Sequence, residues 1–471
     1  MKKTLRPLFV TGLLSVIILF GTLVSYTNKN LEPKELATVE NEQNFTDLKS
    51  RNESVLVKAL MLNKWLSISD IHQSSYKQIR NTLVLNIINK TMVSKKELLK
   101  LSDIEISYVA LAYRFMLESD LKSAESLKSM STNDLNKTLI QLNIEQTSYT
   151  ILTLQDFSIE KNLRIAYDWW LPKNNASLIT EFKIIDNHQN DNITCFQVKD
   201  NHQRNTEVLR IVKVNEADFK YLGVYHSMVS KNHFELYLAG SNDLKNWKRI
   251  NILGDRSHQG DIKKWGKGYI IANEEDLREG TNNIKITFYE SYEKLCANQP
   301  KFSKSIKRTF SNFAEGTPDI REIIGDNPED SYLLLGFHYY NNGDVDYQAM
   351  GILKDFKSWK AWTDDITNKN IIGMGFKGNI GGRYAFKNNN KEFILQEAQI
   401  KKADFSTWRI LIGDGAFYTT LNLKTPNGSI SFANPSILEI EKGNYIISSF
   451  LPSEGNKRGE NGQLIYSNKI E

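Results

Sequence analysis

Two carboxyl-bearing residues, Glu315 and Asp319, bracket a Gly-Thr-Pro turn in "FSNFAEGTPDIREI" (310–323), just ahead of a strand-like run. Side chains alternate in an extended segment, so Glu315, Thr317 and Asp319 share one face. Gly316 permits close backbone approach, and Pro318 stiffens the start of the strand. A further acid, Asp261, stands in "HQGDI" (258–262) beside His258 and Gln259. Carboxyls held at rigid strand starts around one cavity can do acid–base work. One protonates a leaving oxygen, and the other activates water or attacks directly. A third carboxylate nearby raises the acid's pKa by like-charge repulsion. Each acid also has a purely structural alternative. Glu315 can cap a turn, Asp319 can pair with Arg321, and Asp261 can close the turn after Gly260.

Other polar residues share this strand-start context. Glu397 follows an apolar run in "ILQEAQ" and is expected to point inward. Arg383 follows a glycine-rich turn in "GNIGGRYAF", where it can orient a carboxylate, bind a hydroxyl or form a structural ion pair. That turn lacks the strand–helix setting of a phosphate loop. His226 lies within a strand. Glu274 and Glu275 end the strand "IIANEE" and read as a solvated acidic rim. No metal-ligand triad, Gly-x-Ser-x-Gly elbow or Cys–His arrangement is present, so neither a metal nor another cofactor is expected. Cys195 and Cys296 form no metal pattern but could pair in an exported chain.

The elements that must position these residues lie mostly beyond residue 178. There, β-branched and aromatic residues alternate with polar ones, and turn residues recur. "SNDLKNWKRI", "LKDFKSWKAW" and "KADFSTWRIL" share Asp-[Leu/Phe]-x-x-Trp. Their acids, Asp243, Asp355 and Asp404, read as turn formers. A degenerate copy is expected near "SYEKLCANQ" (291–299). Five paired strand segments recur, each pair having a glycine- or asparagine-bearing turn. The expected fold is mainly β, a five-bladed β-propeller over 178–471 preceded by an α-helical domain and an N-terminal hydrophobic segment. A β-sandwich is the alternative, but it needs no five-fold repetition.

Residues 46–175 carry apolar residues at three-to-four spacing and read as helices. "IRNTLVLNI" and "LNKTLIQLN" lie 56 residues apart, which suggests two copies of a helical hairpin. The helix is expected to break at Pro172, Asn174 and Asn175. Residues 27–45 read as a polar linker. Before them, Lys2, Lys3 and Arg6 precede an uncharged run from Pro7 to Tyr26, about the length that spans a bilayer. Residues 1–26 are therefore a membrane anchor or a cleaved signal peptide, and the remainder is exported. The formal net charge is only +5 over 471 residues, with both signs interspersed, which argues against a nucleic-acid partner.

"AGSNDLKNW" followed by "QGDIKKWGKGYIIANEE" resembles the five-bladed propellers of glycoside hydrolase family 43 and the wider arabinanase–levansucrase–invertase group. The resemblance covers about 215–471. It implies a carbohydrate ligand in an axial pocket, with site residues where the innermost strands begin. "HQGDI" and "EGTPDI" occupy such positions. On this reading Glu315 is the acid, Asp261 the base or pKa modulator, and Asp319 a further catalytic carboxylate. His258, Gln259, His226, Arg383, Glu397 and Asn434, the last in "FANPSI", bind substrate. The family's first-blade Asp has only Asp218 as a counterpart, without the usual Asp-Pro context. The alternatives are a non-catalytic glycan-binding propeller and a cell-surface scaffold whose helical domain docks a protein partner.

Overall fold

The computed structural model describes residues 53–184, 193–214, 216, 218–277 and 280–469. The apolar run 7–26 and the linker 27–45 lie outside these residues. No helix among the described residues is long and apolar enough to cross a membrane.

Residues 193–469 form five four-stranded antiparallel sheets, the blades of a β-propeller. The innermost strands are Glu207–Lys213, Ser257–Trp265, Glu315–Asn327, Ile380–Asn388 and Ala433–Glu441, which define blades 1 to 5. Thr194–Cys195, from the start of the propeller, pairs with Tyr466 and Ile465 as the outer strand of blade 5. The two ends of the domain are thereby joined in one sheet, which leaves no exposed gap in the ring. Central strands bury both faces because each blade packs against two neighbours. "YLLLGF" in blade 3 accordingly reads as an unbroken apolar run. Leu333, Leu335 and Phe337 join Trp265, Ile270 and Phe288 in the core between blades 2 and 3.

The Asp-x-x-x-Trp motifs have a physical role in two blades. A Cβ on Gly223 would lie 2.7 Å from the Trp247 ring, and one on Gly351 would lie 2.2 Å from Trp359. Each indole thus lies over a bare glycine of its own blade. Asp243 accepts from the N–H groups of Lys245 and Asn246, and Asp355 accepts from that of Ser331. Blade 2 substitutes a short helix, Tyr292–Cys296, at the equivalent connection. The third motif is not equivalent. Asp404 and Trp408 join the second and third strands of blade 4, whereas the other two precede a fourth strand.

The helical region repeats at half the interval visible in the sequence. Short helices capped by Ser67, Ser94, Ser123 and Thr150 alternate with long ones capped by Ser75, Ser102, Ser131 and Ser158. Each cap side chain accepts an N–H from the first helical turn. The 56-residue offset therefore spans two units of a four-unit array. The last long helix, Ile159–Asn174, carries Pro172 in its final turn, and Ala176–Glu181 follows as a further short helix. Helices and propeller share one apolar core. Leu111, Phe115 and Tyr167 pack with Met350, Trp362 and Phe417, and Tyr167 stacks on Phe417 with ring centroids 4.0 Å apart. Cys195 and Cys296 are both free.

Candidate functional site: a ring of bulges at the axial mouth

Every innermost strand is bulged near its start. Two residues face one on the second strand, an excess of one, between Glu207 and Arg210, His258 and Asp261, Gly316 and Asp319, Ile380 and Arg383, and Ala433 and Ser436. The first of each unpaired pair is left-handed in four blades: Val208 (φ 55°), Gln259 (51°), Thr317 (44°) and Asn434 (48°). Blade 4 places Gly381 there. Non-glycine residues in this region cost on the order of 1–3 kcal/mol each, and bulges of this kind gather beside active sites. Backbone strain thus recurs at one level of the axis in four of the five blades.

Each bulge is held by a side chain from an adjacent blade. His226 Nδ1 accepts from the Gln259 N–H at 3.2 Å. Glu274 accepts from the Thr317 N–H and hydroxyl, at 2.6 and 3.0 Å. Gln348 donates to the carbonyls of Ile380 and Gly381. Glu397 accepts from the N–H groups of Gly382 and Asn434. Gln463 accepts from Leu209 N–H at 3.0 Å. A Cβ on Gly382 would stand 3.0 Å from Asn434 Oδ1 and 3.2 Å from Thr317 Cγ2. Blades 3, 4 and 5 thus meet at this glycine.

The next level down the axis holds Arg210, Asp261, Asp319, Arg383 and Ser436, all buried. Arg383 pairs with Asp319 at 3.1 Å and with Asp364 at 3.0 Å, and Lys58 from helix 53–62 reaches Asp364 at 2.9 Å. Burial alone would raise the Asp364 pKa, but Lys58 and Arg383 hold it below the usual carboxylate range. Burial pushes Lys58 down. Asp261 accepts from Ile320 N–H across the blade boundary at 2.8 Å, and burial raises its pKa.

These contacts revise the expected catalytic set. Asp261 and Asp319 do converge near the axis, but each is 1% exposed and committed to a neighbouring strand or to Arg383. Glu315, also 1% exposed, turns away to accept the N–H groups of Thr309, Phe310 and Ser311. Burial pushes its pKa up to about 7, against the pull of those donors. Arg383 takes its structural alternative as an ion-pair partner. Glu397 points inward, as expected, and clasps a bulge. Glu274 is buried rather than a solvated rim, whereas Glu275 pairs with Lys285 at 2.8 Å.

The accessible groups of the mouth lie on blades 1 and 2. His258 sits between Glu274 and Asp276, with Nδ1 at 3.6 Å from the first and Nε2 at 2.9 Å from the second. Burial alone would lower its pKa, but these two carboxylates raise it to about 9. The His226 ring lies 5.8 Å from that of His258, and Phe234 is 5.4 Å from both. Burial and the charge on His258 keep His226 well below its ordinary pKa. Glu207 Oε2 stands 3.7 Å from His226 Nε2, and burial pushes Glu207 up to about 7. The side chains of Glu207, His258 and Asp276 retain 20%, 18% and 25% exposure. Gln259 Oε1 and Asn434 Oδ1 are buried without a hydrogen-bond partner, as are Asp319 Oδ2 and Asp364 Oδ1 of the lower level.

Glu207 was not legible as a site residue. "YLGVYHSMV", the apparent leading strand of blade 1, is its second strand. The true first strand, "EVLRIVK", lacks the Gly or Pro that marks the other four. The available signal was Glu207 and Arg210 standing three apart, as His258 and Asp261 do. Asp218 lies in the exposed turn at the opposite end of that strand.

Among the described residues, no group of three or more His, Cys, Asp or Glu is placed to hold a metal ion. A cavity of about 590 Å³ is lined by Ile179, Lys183, Ile184, Leu423 and Lys424 among others and by none of these groups. No family model and no curated protein matches the chain. Similar solved structures include a thermostable family-43 glycoside hydrolase (9% identity, TM-score 0.39, covering 58% of this chain and 91% of that one). Another is an endo-arabinase from Bacteroides thetaiotaomicron (11% identity, TM-score 0.38, covering 59% and 98%). A third is an N-acetylgalactosamine deacetylase from F. plautii in complex with a blood group B trisaccharide (12% identity, TM-score 0.37, covering 61% and 92%).

Proposed function

We propose that this is an exported, carbohydrate-binding propeller whose ligand sits over the bulge ring at the axial mouth. One observation carries the reading. Gln259 and Asn434 are held in strained left-handed conformations, and their side-chain amide oxygens lack partners. Strain of this kind is retained where a ligand uses it. Charged His258 donates to a ring or hydroxyl oxygen, Phe234 offers an apolar face, and the two buried amide oxygens are acceptors that a hydroxyl reaching them would complete. Export follows from the basic, then apolar, N-terminus. Titration calorimetry against a panel of oligo- and polysaccharides tests the reading. His258→Ala should weaken binding at least severalfold, and unaltered affinity in that variant would sink the assignment.

A second reading, glycoside hydrolysis, is favoured by two accessible carboxyl groups in different environments. Glu207, with its pKa near 7, keeps a proton to give to the glycosidic oxygen. Asp276, paired with His258, is the base that activates water. Glu207→Gln should abolish release of reducing ends and leave binding in place. Turnover at wild-type rate in that variant eliminates this reading.

A further inference from the structure

The rim of the mouth is chemically lopsided. Blades 1 and 2 contribute the acids and histidines described above, whereas the blade 5 rim carries Lys424, Lys457 and Arg458. Two loops build this rim at the mouth end of blade 5. Residues 422–432 lead into the innermost strand at Ala433, and residues 452–461 join the second and third strands, where Leu451 pairs with Gly462.

The loops are stitched into one wall. Buried Glu460 accepts from the hydroxyls of Thr425 and Ser429, the former at 2.6 Å. Asn456 accepts from Ser431 N–H at 3.0 Å and donates to its carbonyl at 2.8 Å. Ser429 Oγ accepts from Lys457 N–H at 2.8 Å. Ser431 Oγ donates to Phe405 O at 2.6 Å, which ties the wall to blade 4. On this fixed frame Lys424, Lys457 and Arg458 are all exposed, and none makes an ion pair among the described residues. A Cβ on Gly428 would lie 3.4 Å from Lys424 Cε and 3.9 Å from Lys457 Cε. The two lysine stems therefore converge over one glycine, and their like charges repel unless an anion lies between them. The nearby carboxylates accept from hydroxyls and make no ion pair with these cations. Glu460 is buried under the hydroxyls, and Glu454 accepts from Ser453.

We propose that this wall is a subsite for an anionic group on the glycan held at the mouth, so the ligand class is an acidic polysaccharide. The inference rests on the carbohydrate reading above. A uronate carboxylate and a sulfate ester offer the same anionic oxygens. Stitched loops lower the ordering cost of holding cations in place for either.

The test compares polygalacturonate, dextran sulfate and uncharged dextran by calorimetry, for the wild type and the Lys424→Gln/Lys457→Gln/Arg458→Gln variant. All three substitutions are on the surface, and an unchanged melting temperature serves as the folding control. We expect the wild type to bind at least one anionic polymer more tightly than dextran. The two anionic arms separate carboxylate from sulfate recognition. The variant should bind that polymer about tenfold more weakly and show a shallower salt dependence. Equal affinity of wild type and variant for the anionic polymers overturns the subsite. Binding of neutral glycans alone also overturns it but leaves the mouth reading standing. If neither class binds, both fail.

Discussion

Two levels of the same axis use similar residue types for opposite ends. At the lower level, Asp319, Arg383, Asp364 and Lys58 form a closed chain of ion pairs with essentially no solvent contact. At the upper level, Glu207, His258 and Asp276 keep part of their surface open, and Gln259 and Asn434 carry buried amide oxygens without a partner. The difference is one of commitment. A carboxylate that already accepts from an adjacent strand or an arginine holds blades together, and using it in chemistry would cost the fold. Groups left incompletely paired are the ones a ligand can complete.

The sharpest way to break this contrast is to remove one partner of the lower chain. Arg383→Ala or Asp319→Ala strands an unpaired buried charge, and either should cost about 3–5 kcal/mol of stability by chemical denaturation. A loss below about 1 kcal/mol would mean that the lower level is not structural. Glu315→Leu leaves three loop N–H groups unmet and should cost about 2 kcal/mol. A glycan-binding defect in that variant without loss of stability would move Glu315 back to the mouth.

The upper level has a pH signature. The folded pKa of Glu207, about 7, stands above its ordinary 4.5, so the folded state holds that proton longer. Its contribution is therefore most favourable below pH 4.5 and is lost as pH rises towards 7. Glu207→Gln should thus be more stable than wild type at pH 8, by roughly 1–2 kcal/mol, with little difference near pH 4. Equal stability at both pH values would show that the group is solvated. The smallest expected effect is at the bulges. Gln259→Gly relieves left-handed strain and should raise stability by up to about 1 kcal/mol, read from the denaturation midpoint.

Much of the architecture was legible because blades write themselves locally. Glycine or proline before an apolar strand marks four of the five innermost strands. The Asp-x-x-x-Trp turns mark two more connections, since an indole needs a bare glycine beneath it. The helical array was legible only at double its interval, because Ser75, Ser102, Ser131 and Ser158 repeat as caps while the helices between them differ. The site was harder to read. Asp261, Glu315 and Asp319 carry the conspicuous motifs, but which way a carboxylate turns depends on a donor elsewhere in the chain. Ile320 N–H, the 309–311 loop and Arg383 are such donors. The bulges are equally invisible, because one extra residue changes the facing of every side chain after it.

The most direct test of the central claim is a calorimetric titration of the Gln259→Gly/Asn434→Gly variant with the glycan that the wild type binds best. The account predicts a protein at least as stable as the wild type with affinity reduced tenfold or more, about 1.4 kcal/mol. Wild-type affinity in that variant would contradict it.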